Sequence, residues 1–128
     1  DETMRSRARH YGQALQLVNI LRDRSADAAS GRVYVSAEDA PRWTEQARNW
    51  LGEGAAYCQC LRRGRLRYAA LLPALLGWRT LAVIGAHGPG VTAPAKLSRG
   101  EVRRWMFRAV PVCWSAAAVG LLARRASE

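Results

Sequence analysis

The sequence predicts an all-α chain of about four to five helices, and three observations carry that expectation. Apolar residues make up 49% of the 128 residues, enough for one domain with a modest core. They recur at steps of three and four over long stretches, while nothing alternates apolar with polar over more than a few residues, as a half-exposed strand would. Stop and start signals at Ser30-Gly31, Ser36-Ala37-Glu38-Asp39 and Ser98 divide the apolar pattern into helix-length pieces.

Residues 1–29 read as one helix. Ser30-Gly31 ends it, with Gly31 suited to a left-handed C-cap. Within it, Gln16, Asn19, Asp23 and Asp27 follow one another at steps of three, four and four. At about 100° per residue they lie within roughly 40° of one line along the helix. Gly12 extends that line, and Ala14, Leu15, Leu17, Val18, Ile20 and Leu21 fill the rest of the turn. Such a pattern is expected of a core helix with one polar stripe facing inward. A buried stripe of amides and carboxylates is costly unless compensated, and the natural compensator for two carboxylates one turn apart is a hard divalent cation such as Mg²⁺. The alternative is a solvated polar face.

Gly31 to Val35 is too short for a sheet and reads as an extended link. Ser36-Ala37-Glu38-Asp39 starts a second helix, with Pro41 in its first turn. Trp43, Ala47, Trp50, Leu51, Gly54, Cys58 and Leu61 recur along it, and Trp43 and Trp50 are expected in the core. The run Arg62-Arg63-Gly64-Arg65-Leu66-Arg67 marks a helix junction, where arginines complement a C-terminal dipole; a phosphate-binding role is the sharper alternative. Residues 66–86 are the most apolar stretch. Pro73 and Arg79 interrupt it, which favours a buried helix kinked near Pro73 over a membrane span, since a central arginine costs a few kcal/mol in lipid. Arg79 then needs an anionic partner. His87-Gly88-Pro89-Gly90 opens a loop. Ser98 and Glu101 fit a capping box, and a final helix runs to about Arg125, with Trp105, Ala109, Val112, Cys113, Ala116, Ala117 and Gly120 on one face. Val110–Ala123 is apolar enough to lie against a bilayer.

Arginine supplies 19 of the 20 basic residues, Lys96 is the only lysine, and the formal net charge is +10. That balance favours anionic partners or a solvated arginine-rich surface. Cys58, Cys60 and Cys113 are odd in number and lack framework spacing, so they are read as reduced, mostly buried thiols in a cytoplasmic protein. No signal-peptide pattern stands at the front, and the opening residues resemble the middle of a helix, so the chain is expected to be part of a longer protein. Phosphate-loop and zinc-protease motifs are absent. GAHGPG follows no strand, His10 and His87 are far apart, and nucleic-acid binding has only net charge behind it.

The run from Gly12 through Gln16, Asn19, Ile20, Leu21, Arg22 and Asp23 to Asp27, followed by Gly31-Arg32-Val33-Tyr34, resembles the second aspartate-rich region of the squalene/phytoene synthase family. That pattern is roughly G-x-x-x-Q-x-x-N-I-L-R-D-x-x-E-D, then G-R-x-Y-L-P. Downstream, LLPALLGWRTLAVIG and KLSRGEVRRW are loosely similar to the C-terminal half of bacterial members. The resemblance implies part of an all-α isoprenoid synthase fold, and head-to-head condensation of two prenyl diphosphates with Mg²⁺ holding the diphosphates. Asp23, Asp27 and Asn19 would then be the catalytic, metal-binding set. Gln16 would line the pocket and Tyr34 would sit at its mouth, while Arg22 and Arg32 would contact diphosphate or hold the aspartates. Reduction of the product with NADPH stays open, and no residue indicates it. Ala26 replaces a family glutamate, and Val35-Ser36 replaces Leu-Pro. The opposing aspartate-rich motif is not among the other acidic residues, so the resemblance casts residues 1–128 as the C-terminal part of one domain, inactive without its N-terminal half. Peripheral contact with the inner membrane surface fits the basic balance; nucleic acid is not an expected partner. Two other readings stand beside this one: a non-catalytic basic helical module binding anionic lipid or a partner subunit, and a protein with two membrane spans at 68–86 and 105–123.

Overall fold

The computed structural model describes residues 1–86 and 96–128. They form five helices: α1 (Glu2–Ala29), α2 (Ala40–Cys60), α3 (Arg65–Ala86), α4 (Arg99–Val112) and α5 (Ala116–Ser127). No strand occurs among the described residues, so the expected all-α class holds. His87 and the start of the expected loop lie outside the described residues.

The most apolar stretch forms the centre. Helix α3 packs against each of the other four helices, and α2 lies between α1 and α5. Leu71, Ala74, Leu75, Gly77, Trp78 and Leu81 are its buried apolar positions. At Gly77 a methyl group would stand 3.3 Å from Leu51 Cδ2, so the missing side chain lets α2 and α3 approach. Pro73 sits inside α3 on an exposed position, where the amide it lacks costs least. Arg79 finds the anionic partner expected of it: Nε donates to Glu101 Oε1 at 2.9 Å, tying α3 to α4. By length and composition, α3 is the one helix among the described residues that could cross a membrane. Here it is the packed centre of the bundle.

The first helix matches its expected limits, with Asp1 capping it by accepting from the Thr3 amide. Gly31 takes φ 77°, the left-handed conformation expected after its end. In α2, Pro41 occupies the first turn and Asp39 is the N-cap; Ser36 lies further out and accepts from the Asp39 amide at 3.0 Å. Trp43 and Trp50 are half-buried against the core, and Trp50 stacks on His10 with ring centroids 5.8 Å apart. Tyr11 reaches across from α1 and donates its hydroxyl to the Ala70 carbonyl.

The C-terminal reading needs correction. The predicted single helix from Ser98 to Arg125 is two, broken at Cys113–Ser115. Ser98 caps α4 as expected, accepting from the Glu101 amide at 3.1 Å, but the Glu101 carboxylate goes to Arg79 and the reciprocal half of the capping box is unmade. Pro111 cannot donate to the ladder, and Ser115 restarts the chain as the N-cap of α5. Trp105, Ala109 and Cys113 are buried, whereas Ala116 and Ala117 are exposed. Residues 105–123 are therefore not one continuous helix. The expectation of mostly buried thiols holds for Cys58 and Cys113, while Cys60 is exposed; all three are free.

Candidate functional site on the first helix

The polar stripe does not face a closed core. The buried residues of α1 are Tyr11, Ala14, Leu17, Val18 and Leu21, which lie on the opposite side of the helix from the stripe. Among the described helices α1 packs against α2 and α3, and the stripe stays in contact with water and avoids the desolvation cost of buried carboxylates. Gln16 and Asn19 are exposed, and the Asp23 and Asp27 side chains are 45% and 23% accessible.

The stripe instead lines an open groove of about 320 Å³. Gln16, Asn19, Asp23 and Asp27 form one wall together with Ile20, and Tyr34 enters from the link after α1. Five residues singled out by sequence are thus brought together. The local reason is the turn after α1: Ser30 and Gly31 close the helix, and the Arg32 amide donates to the Asp27 carbonyl at 2.8 Å, folding the Gly31–Tyr34 segment back alongside the stripe.

The two remaining predicted residues hold the aspartates. Arg22 donates to both carboxylate oxygens of Asp23, Nε to Oδ1 at 2.8 Å and Nη2 to Oδ2 at 2.9 Å. This fork holds the Asp23 carboxyl below the usual carboxylate range and raises the Arg22 guanidinium above its ordinary value. Arg32 reaches Asp27 Oδ1 at 3.8 Å, a looser pair.

One residue in this region was missed from sequence. Lys96 lies with Arg22, Asp23, Leu76, Thr80 and Leu97 around a second open groove, and its charge also favours the ionised Asp23. Its signal was its singularity, the only lysine in an arginine-rich chain, just before the α4 cap.

The donor set suits a hard cation. Carboxylate and amide oxygens are Mg²⁺ ligands, and Mg²⁺ commonly takes one or two carboxylates, completing its shell with water and phosphate oxygens. Among the described residues no group of three His, Cys, Asp or Glu side chains comes together. A cation at the stripe would therefore meet two carboxylates and would need its remaining oxygens from elsewhere.

Five helices without a strand among the described residues fit an all-α fold of the isoprenoid synthase type. Residues 1–43 match the family model of squalene/phytoene synthase. The resemblance is borne out over α1, the whole stripe and the link into α2; the match ends at Trp43, so the looser likeness of the downstream segments is not part of it. It relates the chain to a family of prenyl-transferring enzymes. No curated protein matches the chain, and no solved structure does.

Proposed function

We propose that the groove on α1 is one side of a Mg²⁺-dependent prenyl diphosphate site, in an enzyme that joins two prenyl diphosphates head to head into a squalene- or phytoene-type product. The observation that carries this reading is the convergence of Gln16, Asn19, Asp23, Asp27 and Tyr34 on one open groove within the segment that matches the family.

Asp23 and Asp27, one helical turn apart, would hold the cation, with Asn19 beside them. Bound there, Mg²⁺ would neutralise charge on a departing diphosphate. The rest falls to the chain's own side chains. The Arg22 fork fixes the Asp23 carboxylate and keeps it ionised. Arg32 and Lys96 place positive charge beside the aspartates, where diphosphate oxygens would lie. Gln16 offers an amide and Ile20 an apolar surface on the same wall. The resemblance implies an aspartate-rich wall opposite this one, so an opposing wall from further sequence is part of the proposal, and residues 1–128 alone are expected to be inactive. In a polypeptide carrying both walls, Asp23→Asn or Asp27→Asn should reduce turnover of farnesyl or geranylgeranyl diphosphate by about a hundredfold or more. Near-normal turnover would overturn the assignment.

A second reading draws on the Arg22 fork, which already engages both oxygens of Asp23. In it the stripe is a remnant and the chain is a non-catalytic basic module. Its binding to anionic lipid or a partner subunit would then be indifferent to Mg²⁺ and to diphosphate.

A further inference from the structure

We propose that the outer face of α4, together with the turn leading into α3, docks on an anionic lipid bilayer. Phe107, Val110 and Trp114 enter the headgroup region, and the surrounding arginines meet lipid phosphates. The proposal does not rest on the diphosphate reading, since α4 does not pack on α1, which carries the stripe.

Large apolar side chains are left in water here. Phe107 is 76% exposed, Trp114 60%, Leu66 59% and Val110 49%. On α4, Val110, Phe107 and Pro111 fall within roughly 100° of one another, with Arg103 between them and Arg104 and Arg108 along one edge. All six are exposed, while Trp105 and Ala109 on the other side are buried. Arginines beside exposed aromatic and aliphatic residues are the pattern of a helix that lies in a membrane interface.

The turn before α3 extends the surface. The Gly64 amide donates to the Cys113 carbonyl at 3.3 Å, and Arg67 Nη1 donates to the same oxygen at 3.4 Å. These bonds hold residues 61–64 against the end of α4, where Trp114 emerges. Arg62, Arg63, Arg65 and Leu66 are exposed there.

Charge selects the occupant. Residues 1–53 carry eight basic and eight acidic side chains, so the whole excess lies in residues 54–128, with twelve basic and two acidic. Of those two, Glu128 ends the chain and Glu101 is committed to Arg79. A second copy of the chain on this face would set arginine against arginine. A nucleic acid would use the arginines but leave Val110 and Leu66 without a role. An anionic bilayer satisfies both the charge and the apolar residues.

The test uses the 128-residue chain with phosphatidylcholine vesicles and with phosphatidylcholine–phosphatidylglycerol vesicles, read by co-sedimentation and tryptophan fluorescence. Binding should require phosphatidylglycerol, weaken with salt, and shift the emission to shorter wavelength. The double change Arg103→Gln/Arg104→Gln should weaken partitioning by roughly 25-fold, about fivefold per charge. Phe107→Ser should weaken it by about tenfold. Arg5→Gln/Arg9→Gln removes the same charge from α1 and should leave binding unchanged. Each altered side chain is exposed, and a thermal melt confirms that each variant folds. No binding to the anionic vesicles, equal binding to neutral ones, or an equal loss in the Arg5/Arg9 variant would overturn the proposal. So would RNA binding that outcompetes vesicles and ignores Phe107→Ser, or a dimer that buries this face.

Discussion

Replacing Arg67 with alanine should destabilise the chain more than any other arginine substitution. Arg67 is 7% exposed, and its guanidinium serves three carbonyl oxygens at the ends of two helices. Nη2 donates to Leu61 O at 2.6 Å and to Gln59 O at 3.1 Å, Nε donates to Leu61 O at 3.2 Å, and Nη1 donates to Cys113 O at 3.4 Å. It thus closes the end of α2 and binds it to the end of α4. Truncation leaves Cys113 O its second donor, the Gly64 amide. The carbonyls of Gln59 and Leu61 lose charge-assisted bonds, at about 1–3 kcal/mol each, less what water restores. A net cost of about 3 kcal/mol follows. Unfolding entropy of about 2.1 cal/mol/K per residue gives about 0.27 kcal/mol/K for this chain, so Tm should fall by about 11 °C. Thermal and urea melts followed by circular dichroism measure both. Arg65→Ala, at an exposed neighbour, should stay within about 0.5 kcal/mol of the parent. If Arg67→Ala costs no more than Arg65→Ala, the carbonyl network has been misjudged.

Gly54→Ala should also destabilise, because the new methyl would stand 2.8 Å from Tyr11 Cγ and the ring is held by its bond to Ala70. Overpacking of about 2–3 kcal/mol outweighs a helix-propensity gain of about 1 kcal/mol, so urea melts should show a net loss of about 1–2 kcal/mol. Because Arg22 lowers the Asp23 pKa in the folded state, the pair's contribution is present above the unfolded carboxylate value and is lost as pH falls through the depressed one. Asp23→Asn should therefore cost no more than about 1 kcal/mol at neutral pH, the pair being partly exposed, and less once pH has fallen through the depressed carboxylate value; a pH-independent difference would contradict this. With a thiol reagent at neutral pH, Cys60 should react quickly. Cys58, buried and pushed up to about 12, and Cys113, also buried and raised, should wait for unfolding.

The parts of this molecule legible in sequence are those specified by neighbours along the chain. The end of α1 follows from Ser30-Gly31, and the groove residues from steps of three and four on one helix. Which way the stripe faces was not legible, because helix periodicity groups residues without saying which group the other helices cover. The role of Arg67 depends on carbonyls 6, 8 and 46 residues away, and no side-chain pattern encodes a backbone acceptor. Proline was ambiguous for a related reason. Pro73 is tolerated inside α3, whereas Pro111 stands just before the break between α4 and α5. Both lack a donor, and Ser115 as a new cap separates the two cases.

As proposed, Asn19, Asp23 and Asp27 form one wall of a cation–diphosphate site. Paramagnetic broadening of amide resonances in the 128-residue chain by Mn²⁺ standing in for Mg²⁺, with and without inorganic pyrophosphate, tests it most directly. Pyrophosphate should strengthen Mn²⁺ binding, broadening should centre on Asn19, Asp23 and Asp27, and Asp23→Asn/Asp27→Asn should remove it. Broadening spread equally over the exposed carboxylates of Glu38, Asp39 and Glu45, or broadening at the stripe that survives the double change, would contradict it.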